Sequence, residues 1–142
     1  MATRVLVADD NEDHRFLTTR ALRDIDARVQ VDTANDGEEA LDAVLGRGRH
    51  AGQPLPHLVL LDIRMPRLDG LEVLERMKTD ERLRTIPVVM LTSSDREEDV
   101  DRSYRLGANC YVTKPATGAG LREGLRQVAE FWAARASLPE PA

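Results

Sequence analysis

Five polar residues stand where an α/β chain puts its chemistry, each directly after a strand-like apolar run. Asp9 and Asp10 follow Val5-Leu6-Val7-Ala8, Asp62 follows Leu58-Val59-Leu60-Leu61, Thr92 follows Val88-Val89-Met90-Leu91, and Lys114 closes Asn109-Cys110-Tyr111-Val112-Thr113. Ligands of open α/β sheets bind outside the carboxyl ends of the strands. Three carboxylates gathered there repel one another unless a cation offsets them. A hard divalent ion held by oxygen ligands is the natural counter-ion, and magnesium suits Asp9, Asp10 and Asp62 with a backbone carbonyl such as that of Arg64. A hydroxyl and an ammonium complete a set fit for phosphoryl chemistry.

Each residue also has a plainer reading. Asp9 or Asp10 can cap the helix that follows, and a threonine after a strand is often a turn residue. Lys114 is the least easily dismissed. Eighteen of the twenty basic residues are arginine, leaving only Lys78 and Lys114, so a lysine at this strand end marks a place for a compact point charge rather than a planar fork.

The elements that must position these side chains alternate strand and helix five times. The unalternating run Leu58 to Leu61, bounded by Pro56 and Pro66, predicts a strand covered on both faces. Arg28 to Thr33 alternates as a half-covered strand does. Asp10 or Asn11 caps a first helix carrying Phe16, Leu17, Ala21 and Leu22 on one face. Asp36 caps a second, with Ala40, Leu41, Val44 and Leu45 inward. Asp69-Gly70 opens a third, with Leu71, Val73, Leu74 and Met77 inward. Ser94 and Glu97 form a capping box for a fourth helix, which stops at Gly107, and a last helix runs from about Thr117 to about Ala136. Gly46 to Pro56 is expected to be a mobile surface loop without chemistry. The pattern predicts a flavodoxin-like doubly wound parallel sheet in the order 2-1-3-4-5, with five helices and the reversal point between Asp9-Asp10 and Asp62.

Composition sets the outer limits. The 142 residues suit one domain, and 42% hydrophobic with 32% charged residues are globular proportions. No apolar run approaches membrane-spanning length, no room is left for a signal peptide, and the single Cys110 excludes an internal disulfide framework, so a cytoplasmic home is expected. A net charge of -5, with arginines scattered among acids, disfavours nucleic acid.

With Asp9-Asp10 after the first strand, Leu-Leu-Asp62-Ile-Arg-Met-Pro followed by Asp69-Gly70, Met-Leu-Thr92-Ser, and Lys114-Pro115, the chain resembles the receiver domain of bacterial two-component response regulators from about Val5 to about Arg135. That resemblance implies Asp62 as phospho-acceptor, Asp9 and Asp10 as magnesium ligands, Thr92 and Lys114 as contacts of the phosphoryl oxygens, and Tyr111 as an aromatic whose rotamer follows Thr92. The segment Ser103 to Pro115, with Phe131-Trp132, looks like stand-alone regulators that partner phytochrome-type histidine kinases in light or other sensory signalling. It implies a sensor kinase partner, a bacteriophytochrome among the candidates, and a Lys114-Pro115 bond in the cis form.

Two other functions fit parts of the pattern. An aspartyl-phosphate hydrolase would carry a second acid two residues after its nucleophile, and Arg64 stands there. A phosphorylation-independent binding module would have lost the acceptor or the lysine, and both are present. The protein is expected to be a phospho-acceptor rather than an enzyme, a single receiver domain without output domain, signalling by protein contact. Leu121, Leu125, Val128 and Trp132 recur at helical spacing and leave Phe131 over, about 100° round the helix, so Phe131 and Trp132 are expected to form a homodimer interface.

Overall fold

The computed structural model describes residues 2–142. Its elements are β1 (Arg4–Ala8), α1 (Glu12–Ile25), β2 (Gln30–Ala34), α2 (Gly37–Leu45), β3 (Leu58–Leu61), α3 (Gly70–Thr79), β4 (Val88–Thr92), α4 (Glu97–Arg105), β5 (Cys110–Thr113) and α5 (Gly118–Ala129). The last helix continues as a widened π-helical turn over Glu130–Arg135. All strand pairs are parallel, in the order β2-β1-β3-β4-β5, as the alternation of elements requires. Among the described residues no helix is long and apolar enough to cross a membrane.

The inner strands β1, β3 and β4 bury both faces, which is why their sequences do not alternate, whereas the edge strands β2 and β5 are only partly covered. Leu6, Ala8, Val59 and Leu61 pack toward α2 and α3, while Val5, Val7, Leu58 and Leu60 pack toward α1 and α5. Asn11, Asp36, Asp69 and Thr117 cap α1, α2, α3 and α5, each accepting from a backbone N–H three residues on. Of the two candidates for the first cap, Asn11 takes the role, which leaves Asp10 free. Gly70 is required by contact: a Cβ there would lie 1.9 Å from the Asp62 carbonyl oxygen, so only glycine lets α3 start directly under the central strand end. Gly107 ends α4 with φ 106°.

Four local expectations fail. Phe16 is 62% exposed, because the buried stripe of α1 runs through Thr18 and Leu22, and Phe16 stands about 200° from Thr18. The Ser94–Glu97 box does not form: α4 begins at Glu97 with Arg96 before it, and the Ser94 hydroxyl instead donates to Asp99 at 2.6 Å. The Gly46–Pro56 connection is more than a surface loop. A short 3-10 turn (Gly48–His50) turns His50 inward, where it is buried against Gln53, and Leu55 is buried with it. Finally, no peptide bond among the described residues is cis, so Lys114-Pro115 is trans. The lysine reaches the site without a cis bond because its own N–H donates to the Thr92 carbonyl at 2.7 Å, which carries the β4–β5 ladder one residue further.

Candidate functional site

The β1–β3 pairing sets Ala8 against Leu61, so the residues that follow each strand, Asp9 and Asp62, leave the sheet side by side. The Asp62 N–H continues the ladder to the Ala8 carbonyl at 3.0 Å. Asp9 and Asp62 are buried and Asp10 is exposed. One carboxylate oxygen from each of the three lies within 4.8 Å of the others. Two backbone N–H groups orient the buried pair: Asn11 donates to Asp9 Oδ1 at 2.9 Å and Ile63 to Asp62 Oδ1 at 2.7 Å.

Lys114 enters from β5 and is only 4% exposed. Its ammonium donates to Asp9 Oδ2 at 2.7 Å and Asp62 Oδ2 at 3.3 Å, and lies 2.9 Å from His14 Nδ1. These contacts use all three of its protons, so a four-carbon stem delivers one charge to two acids. Facing an ammonium, His14 Nδ1 must be the unprotonated acceptor, which puts the imidazole proton on Nε2. His14 belongs to none of the sequence motifs. Its signal was present, since side chains in a first helical turn point back toward the N-terminus, here toward Asp9.

Three ionised carboxylates and one ammonium leave two negative charges over. An all-oxygen set of this kind fits a hard divalent cation, with the exposed Asp10 on the solvent side. Arg64 lies two residues past Asp62 in the β3–α3 loop, where its carbonyl would complete the set. Its guanidinium is turned away to Asp99 at 2.9 Å.

Burial holds the Asp9 carboxyl above its ordinary value of 3.8, against the pull of Lys114. The folded state therefore binds this proton more tightly than the unfolded chain. Stability from this group is full below the ordinary value and is lost as pH rises through the raised one. Asp9→Asn is accordingly expected to raise the metal-free stability, and with it Tm, at neutral pH. The gain should vanish below about pH 4. Thermal melts with a chelator at both pH values check it, and equal gains at the two would contradict it.

Thr92 and Tyr111 stand one and two strands over. Thr92 is buried at the end of β4, its hydroxyl accepting from the Ser94 N–H at 3.3 Å. Tyr111 is half-buried, and its hydroxyl donates to the Ser94 carbonyl at 2.8 Å. Burial pushes that phenol up, so it stays a donor. Both residues thus meet at Ser94, in the β4–α4 loop. Phe131 is exposed, while Trp132 is half-buried against the α1–α5 core, the two rings meeting edge to face at 5.3 Å. Asp99 is the second group that sequence reasoning missed. In Glu97-Glu98-Asp99 all three acids read as partners of a helix N-terminus, and nothing in their types says that the third is buried.

The chain as a whole is matched by known proteins. The family model of the response regulator receiver domain matches residues 5–126. The probable methanogenesis regulatory protein FilR2 of Methanothrix harundinacea is 38% identical over 138 residues, covering 97% of this chain and 88% of its own. Response regulator Rcp1 of a Synechocystis species is 36% identical over 135 residues, 95% of this chain and 92% of its own. The crystal structure of its Mn2+-bound form superposes with a TM-score of 0.92 at 33% identity, over 96% of this chain and 99% of that one. The phosphorylated cyanobacterial phytochrome response regulator RcpA superposes at 0.93 with 37% identity, over 98% and 99% of the two chains. A match across most of the chain, and likeness to these regulators along nearly their whole length, leave one assignment: the chain belongs to the response regulator receiver domain family.

Proposed function

We propose that this receiver takes a phosphoryl group on Asp62 from the phosphohistidine of a sensor histidine kinase and passes the signal on by protein contact, as a single domain in the cytoplasm. The observation that carries the reading is the buried Lys114 ammonium set between Asp62 and Asp9, with Asp10 beside them. An Asp62 carboxylate oxygen attacks phosphorus in line, and the P–N bond to the donor imidazole breaks as the new P–O bond forms. Asp9, Asp10, Asp62 and the Arg64 carbonyl are the residues that would hold magnesium, which supplies positive charge for the equatorial oxygens. Lys114 gives the same oxygens a second cation from the end of β5. The Thr92 hydroxyl turns to a phosphoryl oxygen, which frees the space that the Tyr111 ring then takes.

Self-phosphotransfer and slow loss of the phosphoryl group to water are the only chemistry required, so the protein is a signalling acceptor without a turned-over substrate. Arg64 in the place of a second acid supports this over a hydrolase. The resemblance to RcpA, a phytochrome response regulator, supports a phytochrome-type histidine kinase as the donor, a bacteriophytochrome among the candidates, and a net charge of -5 with scattered arginines speaks against nucleic acid as a partner. Transfer from an autophosphorylated bacteriophytochrome kinase tests this directly: label is expected to pass within minutes to the wild type. A kinase that transfers to RcpA and leaves this chain unlabelled would contradict the partnership.

We also propose a homodimer through Phe131 and Trp132. The support is an aromatic left 55% exposed at the end of α5, braced edge-on by a neighbour anchored in its own core. Sedimentation at micromolar concentration should show a dimer that Phe131→Ala, Trp132→Ala disrupts. Phe131→Ala alone controls for the packing that loss of Trp132 removes. A wild-type monomer with and without phosphate would refute the interface.

A further inference from the structure

The proposed mechanism gives Lys114 a task and leaves its third contact without one. His14, in the first turn of α1, makes that contact: its Nδ1 lies 2.9 Å from the ammonium, beside the 2.7 Å contact to Asp9 Oδ2 and the 3.3 Å contact to Asp62 Oδ2. The lysine side chain is 1% exposed and the imidazole 24%, so the ammonium depends on protein acceptors while the ring reaches the surface. Four contacts close a ring. The Asn11 N–H donates to Asp9 Oδ1 at 2.9 Å, the His14 N–H donates to Asn11 Oδ1 at 3.0 Å, and Lys114 then joins His14 Nδ1 to Asp9 Oδ2. The residue that caps α1 thus fixes both acceptors that flank the ammonium. Arg15 Nη1 adds a further tie by donating to the Asp9 carbonyl at 2.7 Å.

We propose that His14 is a positioning residue that keeps the Lys114 ammonium aimed at the phosphoryl site, as a neutral acceptor that adds no charge there. This rests on Asp62 being the phospho-acceptor. An ammonium has three protons in tetrahedral directions, so an acceptor for one of them constrains the other two. The contact to Asp62 is the longest of the three and so the weakest, and it is the one given up when a phosphoryl group arrives. The proton aimed at Asp62 Oδ2 then takes a phosphoryl oxygen as its hydrogen-bond acceptor, with no bond to hydrogen broken, while Asp9 and His14 keep the other two. A fourth carboxylate in place of His14 would hold the lysine as an ion pair and set one more negative charge against the incoming group. The imidazole does the holding with a neutral lone pair.

Rates of labelling by a small acyl phosphate at saturating magnesium test this. His14→Leu fills the space and removes the acceptor, and is expected to slow labelling by at least about fivefold, a change within reach of one hydrogen bond to a charged group. His14→Asn, whose Oδ1 stands where Nδ1 does, should recover the wild-type rate to within about twofold. Magnesium affinity of the unphosphorylated proteins should stay within about twofold in both, since no carboxylate is changed. Without metal or donor, nitrogen NMR at about pH 8 should show His14 protonated on Nε2 alone and a Lys114 ammonium signal that is slow to exchange. That signal should be lost in His14→Leu and regained in His14→Asn. An unslowed His14→Leu, no recovery in His14→Asn, or a proton on Nδ1 overturns the proposal. So does a fall in magnesium affinity that matches the fall in rate, the mark of a merely structural role. The expected NMR pattern with no labelling of the wild type puts the fault in the acceptor reading, and the proposal falls with it.

Discussion

Asp62→Asn is expected to take up no phosphate from any donor while folding as the wild type does. The amide matches the carboxylate in shape, and its oxygen can still accept from the Ile63 N–H, which now lies 2.7 Å from Asp62 Oδ1. Lost is the nucleophile, since an amide oxygen forms no stable acyl phosphate. Stability should rise slightly, because one of three crowded carboxylates is gone. Circular dichroism and intact mass on the same sample check both halves. A variant that still gains a phosphoryl group would move the acceptor elsewhere, and one that unfolds would show that the charge of Asp62 holds the strand end together.

Lys114→Met should cost the metal-free protein roughly 3 kcal/mol, the usual price of stripping one partner from a buried ion pair. Asp9 and Asp62 would then share their pocket with no ammonium. The methionine keeps the volume of the stem, so packing changes little. Adding magnesium is expected to return much of the loss and to bind more tightly than in the wild type, since a competing cation has left the carboxylates. Phosphorylation should nevertheless be slowed severely, because the second positive charge on the phosphoryl oxygens is missing. Denaturant titrations with and without magnesium separate these effects. A variant as stable as the wild type under chelation would mean that the buried lysine contributes nothing net.

The sheet and the placement of Asp9, Asp10, Asp62, Thr92 and Lys114 at its strand ends were legible because the physics that makes them is local. An unbroken aliphatic run followed at once by an acid, as Val5 to Ala8 before Asp9 and Leu58 to Leu61 before Asp62, announces both a buried parallel strand and what stands at its end, and five strands in alternation with helices point to a doubly wound sheet. Asp36, Asp69 and Gly107 were equally readable, since a cap and a left-handed stop depend on their own few residues. What escaped depends on partners distant in sequence. His14 is 100 residues from Lys114, and Asp99 is 35 from Arg64. Ser94 and Glu97 had the spacing of a capping box, but the hydroxyl found a buried carboxylate to bind instead. Phe16 failed for the reverse reason: hydrophobicity alone says that a residue could be inside, while the stripe of α1 decides that it is not. The trans Lys114-Pro115 bond corrects an expectation drawn from likeness rather than from these residues.

Intact mass spectrometry of the wild type decides whether Asp62 is a magnesium-dependent phospho-acceptor. Incubated with magnesium and a small acyl phosphate, the protein should gain one phosphoryl group, located on the peptide that contains Asp62, lost on standing at neutral pH and absent when the metal is chelated. No added mass with magnesium present, or a stable phosphate on a serine or threonine, would contradict the account.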